Sequence, residues 1–315
     1  MIDLDKITIL GGSGFIGSQL TAKLSKSTKK IVVLSRNELK NRDLLVLPNL
    51  EIIQMDVNDE RSLREHTKDS DLLINTIGIL NEMDKINTFE QVHYKLVEKI
   101  SRVIKTNNIK RYLHISSLNA DKNAPSKYLR TKGMAEELLI DHTSLSSNVT
   151  IFRPSIVFGE NDSFFNKFAV MLKYLPMLPL ACPNSRFMPV YVEDLTSFMI
   201  SAINDKKTFN ITIDVTGPKE YTFHQLMKLT IKFLGIKRLI IPLNDFLSRM
   251  QAYIFEKLPG KLFTTDNYLS LKMDSISKKG FKGTTSIEDV VPEYLNVASN
   301  KNRMAELRKK SGRNE

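Results

Sequence analysis

Apolar residues gather into short, nearly unbroken runs along the first half of the chain, at 6–10, 30–35, 51–57, 71–78, 111–117 and 149–157. Each run has the length and β-branched content of a strand, and the stretches between them carry apolar residues at helical spacing. Strands without polar alternation belong in a sheet covered on both faces, and regular strand–helix alternation predicts a parallel sheet with right-handed crossovers. After Val157 the order loosens: a helical stretch over 161–175, the strand-like PVYV, a helix from Glu193, the strand FNITIDV, and a helix near Thr222. Thr222 and Gln225 have capping-box spacing. From Leu239 the pattern is that of a smaller C-terminal lobe, and no repeat at solenoid spacing is present. The expected fold is α/β, a Rossmann-type doubly wound parallel sheet with a smaller C-terminal lobe. The expected division is 1–205 for the dinucleotide-binding domain, with a substrate-side insert at about 158–188, then 206–300 for the lobe and 301–315 for a basic tail.

Composition removes several classes. At 315 residues, 42% hydrophobic and 26% charged, the chain is an ordinary globular protein and not a disordered one. The longest apolar candidate, FAVMLKYLPMLPLACP, is broken by Lys173, Pro176 and Pro179, short of the roughly 18 residues a membrane span needs. No signal or transit peptide is expected ahead of the first strand. The single cysteine, Cys182, excludes an intrachain disulfide framework and suits a reducing compartment. It has no obvious activating neighbour and reads as structural. The histidines at 66, 93, 114, 142 and 224 lack metal-ligand spacing, so no metal site is expected. The expected location is therefore the cytoplasm, with a peripheral place on the inner face of the cytoplasmic membrane as the alternative.

The first strand breaks into ITILGGSGFIG, with Gly11, Gly14 and Gly17 ahead of an apolar-periodic stretch. Gly11 permits a tight turn, Gly14 lets a pyrophosphate reach the backbone, and Gly17 lets a helix sit close to the sheet. The helix start at Phe15 and Ile16 then offers free N–H groups and the positive dipole end to phosphates. At the tip of the second strand an acidic residue would bond the ribose hydroxyls of NAD(H) and repel a 2′-phosphate. The sequence there is VVLSRNE, with Ser35 and Arg36 and no carboxylate at the strand tip, which favours NADP(H), with NAD(H) as the alternative. Asp56 and Val57 end the third strand and Gly78 the fourth, both on the carboxyl edge where open α/β sheets bind ligands.

Candidate chemistry sits in HISSLNADKNAPSKYLRTKGMAEELL. Tyr128 and Lys132 lie four apart at a helix start and share a face. An ammonium beside the phenol is expected to lower the tyrosine pKa and fit Tyr128 to exchange a proton next to a hydride transfer. Ser117, at the end of the preceding strand, is placed to orient a carbonyl.

The glycine pattern, the YxxxK pair, RPSIVFG at Arg153 to Gly159 and PVYVEDL at Pro189 to Leu195 together resemble the short-chain dehydrogenase/reductase superfamily, in its extended or atypical branch, over roughly the first 200 residues. Within it, NTIGIL, SLNA, YLRTK, RPSIVFGENDSFFNKF and RFMPVYVEDL are similar to the NAD(P)H-binding accessory subunits of respiratory complex I and their free-standing bacterial relatives. That likeness covers most of the chain and weakens past about Gly217. It implies a catalytic set at Ser117, Tyr128 and Lys132. By position it also implies cofactor contacts at Gly11, Gly14, Gly17, Arg36, Asp56, Lys132 and the strand end at Pro154. It implies two roles: a dinucleotide-stabilised accessory or assembly factor of a respiratory or quinone system, or an active NADP(H)-dependent oxidoreductase or epimerase/dehydratase. Only ten residues separate Ser117 from Tyr128, fewer than in most extended members, which leaves little loop to close over a substrate.

A net charge of +11 points to an anionic partner beyond the dinucleotide. The chain has no aromatic-rich basic stripe or recognised nucleic-acid module, which argues against nucleic acid. LIIPLNDFLSRMQAYIFEKLPGKLF mixes apolar faces with Arg249, Lys257 and Lys261, so it either meets a membrane surface or packs on the main domain. The partners expected are thus the dinucleotide, a membrane surface or respiratory/quinone complex, and a small-molecule substrate.

Overall fold

The computed structural model describes residues 4–36, 44–47, 49–141, 147–258, 260–261 and 263–295. The expected basic tail and the last residues of the expected lobe, 296–315, lie outside the described residues, as do Pro259 and Leu262.

Strand β1 (Lys6–Leu10) leads through the glycine turn into α1 (Phe15–Leu24), followed by β2 (Lys30–Ser35), β3 (Leu50–Gln54), α2 (Glu60–His66) and β4 (Leu72–Asn75). A π-helical turn (Glu90–Lys95) runs into α3 (Leu96–Thr106), then come β5 (Arg111–Ile115), α4 (Lys127–Asp141), β6 (Asn148–Pro154) and the short β7 (Val157–Phe158). Beyond these lie α5 (Phe165–Tyr174), β8 (Met177–Leu180), β9 (Arg186–Phe187), β10 (Val190–Tyr191) and α6 (Val192–Ala202). The remainder is β11 (Ile211–Thr216), β12 (Tyr221–Thr222), α7 (Phe223–Leu234), β13 (Leu239–Pro242), α8 (Asp245–Glu256), α9 (Thr265–Leu271), β14 (Phe281–Lys282) and α10 (Ile287–Leu295).

Among the described residues the main sheet runs β14-β11-β6-β5-β4-β1-β2-β3, every pairing parallel. This is the doubly wound Rossmann order extended by two strands, and its switch point lies between β1 and β4. The central strands β1, β2, β4, β5 and β6 are buried on both faces, as their apolar runs require, while the edge strand β3 is only partly covered. One face carries α2, α3 and α4 through Leu63, Ile100, Ile104 and Leu139, and the other carries α1 and α6 through Leu20, Leu24, Leu195 and Met199.

Residues beyond 205 serve both the sheet, through β11 and β14, and the lobe. The lobe core joins the 158–188 stretch to later elements, since β8 pairs with β13 and Phe165, Ala169 and Leu172 of α5 cluster with Leu226 and Met227 of α7 and Val291 of α10. The capping box at α7 is complete: Gln225 N–H donates to Thr222 Oγ1 (3.2 Å) and Thr222 N–H to Gln225 Oε1 (2.8 Å). Helix α8 buries Ser248 and Ala252 and leaves Phe246, Met250, Tyr253 and Ile254 exposed, so one face packs and the other does not. No helix among the described residues is long and apolar enough to cross a membrane.

Candidate functional site

A cavity of about 550 Å³ opens along the carboxyl edge of the sheet and runs from the glycine turn into the lobe. It brings together Gly14, Phe15, Ile16, Gly17, Gly78, Ser117, Tyr128, Lys132 and Pro154. Gly11, Ser35, Arg36, Asp56 and Val57 stand at or after the ends of β1, β2 and β3 and do not line it.

The glycine turn fits a diphosphate. A Cβ on Gly17 would fall 2.2 Å from the Gly11 carbonyl oxygen, so only glycine lets α1 start this close to β1, and Gly11 holds φ +76°. Gly14 begins α1 with no side-chain cap, leaving the first-turn N–H groups for an anion. Beyond the end of β2, Ser35 Oγ lies 2.8 Å from Ser13 Oγ, and Arg36 Nη1 donates to Asn87 Oδ1 (2.9 Å). Asp56 Oδ1 accepts from Asn58 N–H (2.9 Å), so the carboxylate closes its own turn.

Lys132 is buried, and its Nζ donates to the Ile115 carbonyl (2.9 Å). Burial brings its pKa down to about 8, against an opposing pull from Glu136 one turn along α4. A side chain at Gly78 would begin 3.5 Å from this ammonium, so glycine there keeps the space beside it open. Tyr128 departs from the sequence expectation: its pKa is raised, because burial outweighs the Ser117 hydrogen bond that pulls it down, and Asp266 adds to the rise. The phenol is therefore held neutral and able to donate.

Lysine 132 is charged in the unfolded chain up to its ordinary 10.5, but in the native state only up to about 8. Between these values the unfolded chain binds more protons, so native stability gains from this residue as pH rises through the window. The unfolding free energy of the native protein, measured against Lys132→Met, is expected to improve from pH 8 to 10. A difference flat with pH would contradict the burial of a protonated lysine.

Sequence reasoning missed the second layer. His93, in the π-helical turn, is buried, and its Nε2 accepts the Ile79 N–H (3.1 Å). Nε2 must then be bare, so the proton sits on Nδ1 and is donated to Thr131 Oγ1 (3.2 Å), which donates to the Tyr128 carbonyl (3.1 Å). Burial, with Lys132 and His114 nearby, holds His93 well below its ordinary pKa and keeps this tautomer neutral. The ring also meets Tyr128 edge-on, with centroids 5.4 Å apart. A π-turn inside an apolar helical pattern leaves no mark in sequence periodicity.

Two motif residues hold the frame. Arg153 forks onto buried Glu136, with Nε 2.9 Å from both carboxylate oxygens, and so ties β6 to α4. Asp194 of PVYVEDL accepts from the backbone N–H groups of Thr284 and Thr285 (2.8 and 2.9 Å), fixing the turn before α10. Among the described residues no cluster of histidine, cysteine and carboxylate side chains could hold a metal.

Residues 7–212 match the model of the NAD dependent epimerase/dehydratase family. The chain is 27% identical over 298 residues to the mitochondrial NADH dehydrogenase [ubiquinone] 1 alpha subcomplex subunit 9 of Dictyostelium discoideum, covering 93% of this chain and 80% of that one. In fold it is similar to UDP-glucose 4-epimerase of Thermotoga maritima, with a TM-score of 0.71, 15% identity, and coverage of 95% of this chain and 99% of that one. It is likewise similar to UDP-glucuronic acid 4-epimerase of Bacillus cereus, solved with UDP-glucuronic acid and NAD (TM-score 0.69, 18% identity, 92% and 98% covered).

Proposed function

Because the chain belongs to the NAD dependent epimerase/dehydratase family, we propose that it holds NADP(H) along the carboxyl edge of its sheet and serves as an accessory or assembly component of a respiratory or quinone system. The observation that carries the role is the reach of the likeness to subunit 9, which extends over 93% of this chain and so includes the lobe as well as the dinucleotide-binding half. Support for NADP(H) comes from Arg36, which stands at the end of β2 where a carboxylate would select NAD(H).

Native mass spectrometry of gently purified protein tests both parts. A copurified NADPH that candidate quinones and aldehydes leave reduced supports a structural dinucleotide in an accessory protein. Arg36→Ala is expected to weaken NADPH by about 1.5–3 kcal/mol, as for the loss of a charge-assisted hydrogen bond, and to leave NADH nearly unchanged. Equal losses for both would remove Arg36 from the account.

A second reading, an NADP(H)-dependent oxidoreductase or epimerase/dehydratase, is favoured by one specific observation: Ser117, Tyr128 and Lys132 all line the same cavity as the glycine turn. A nicotinamide bound there would supply or accept the hydride. The chain's part would be proton donation from Tyr128, with Ser117 orienting a carbonyl.

A further inference from the structure

Beyond Tyr128 the cavity changes character. Its lobe half is walled by Phe164, Phe168, Phe187, Phe223, Phe255 and Phe263, drawn from five separate places in the fold. No carboxylate and no arginine line the cavity among the described residues, and its cations are Lys132, at the dinucleotide end, and Lys167. A sugar nucleotide asks a site to neutralise two phosphates and to satisfy several hydroxyls, whereas this lining offers two lysines and no arginine against that charge, and the amides of Asn119, Gln251 and Asn267 are already given to backbone carbonyls.

Several polar atoms of the lining are closed off from the cavity. Asn81 Oδ1, Ser116 Oγ and Ser270 Oγ, all on cavity-lining residues, are buried without a hydrogen-bond partner. Gln251, the polar residue α8 contributes, spends its amide on the Pro179 carbonyl (2.9 Å). Ser117 and Tyr128 supply donors at the junction with the glycine end.

We propose that the lobe half of this cavity binds a single-chain lipophilic carbonyl compound, its hydrocarbon chain among the phenylalanines and its carbonyl at Ser117 and Tyr128. The proposal deepens the reading above by naming a ligand class, and it rests on that reading for the dinucleotide beside the carbonyl. Helix α8 contributes Phe255 and Gln251 to the wall and exposes Phe246, Met250 and Tyr253, so one helix both lines the pocket and presents an apolar surface to solvent.

Isothermal titration of the full chain with the methyl ketones 2-nonanone, 2-undecanone and 2-tridecanone, each below its solubility limit, with and without NADPH, tests this. Burial of methylenes should tighten binding by up to about fourfold per CH₂. The expected result is more than tenfold gain from the shortest to the longest ketone and no binding of UDP-glucose. Phe255→Arg should abolish the length dependence, and Phe168→Trp, which fills the cavity without adding charge, should shorten the longest ketone accepted. Affinity independent of chain length, or UDP-glucose binding tighter than any ketone, overturns the proposal. NADPH binding without ketone binding sinks this inference alone, whereas graded ketone binding without NADPH sinks the dinucleotide reading and leaves the pocket assignment standing.

Discussion

Changing Tyr128 to phenylalanine is expected to slow any hydride transfer the protein performs by about 10²–10⁴-fold, the usual range for a positioned proton donor. The fold and the dinucleotide affinity should be unaffected. The ring keeps its edge-on contacts with His93 and Phe89. The start of α4 keeps its cap, because Asp266 binds the backbone N–H groups of Lys127 and Tyr128 and not the phenol. Burial holds the phenol protonated, which suits donation to a carbonyl being reduced and not abstraction from an alcohol. The check is NADPH oxidation by aldehydes and quinones, with NADPH affinity and melting temperature measured alongside. Native protein that oxidises nothing argues against reduction of these substrates, and oxidation that survives the substitution removes Tyr128 from the chemistry.

Arg111→Met is expected to destabilise the protein by about 3–4 kcal/mol, because it strands several buried acceptors at once. Arg111 is fully buried at the start of β5, with no carboxylate partner among the described residues. Its guanidinium donates to the carbonyls of Ile203 (2.9 Å), Asn148 (2.8 Å) and Ala202 (2.8 Å) and to Thr150 Oγ1 (2.7 Å), and lies 4.5 Å from the centre of the Phe209 ring. It thereby fastens the end of α6 to β5 and β6. Burial pulls its pKa down to about 10, so the charge persists at neutral pH and is held by carbonyl dipoles. Methionine fills similar volume but donates nothing. Urea unfolding gives the loss directly, and a change below about 1 kcal/mol would mean that water enters and satisfies the carbonyls. Since β5 presents its opposite end to the cavity, dinucleotide affinity of the folded protein should hold.

Rossmann architecture was legible in the sequence because buried parallel strands and a glycine turn each leave a local imprint. Strand ends were less so, for reasons of individual residues. Strand β3 stops at Gln54 and not Val57 because Asp56 turns back onto Asn58, and β4 stops at Asn75 because its side chain takes the Ile77 N–H (3.0 Å). Strand β6 stops at Pro154 and the chain resumes as β7 at Val157, where a single run was expected. Ser117, Tyr128 and Lys132 were visible as a spaced motif, but the direction of the Tyr128 shift was not, because burial is a property of the surroundings. The phenylalanine wall was beyond reach for the same reason: its members come from segments with no common period, and only the folding of the lobe brings them together.

Asp266 belongs to α9, yet the groups it binds are the first N–H groups of α4, 2.5 Å away at Lys127 and 3.2 Å at Tyr128. Tyr128 thus stands on a helix whose first turn is pinned by another part of the chain. Loss of those two bonds leaves the turn uncapped, so Asp266→Ala is expected to loosen the start of α4 around Tyr128. Amide exchange at Lys127 and Tyr128, expected to be faster in Asp266→Ala than in the native chain, reads that tie between α9 and α4 directly.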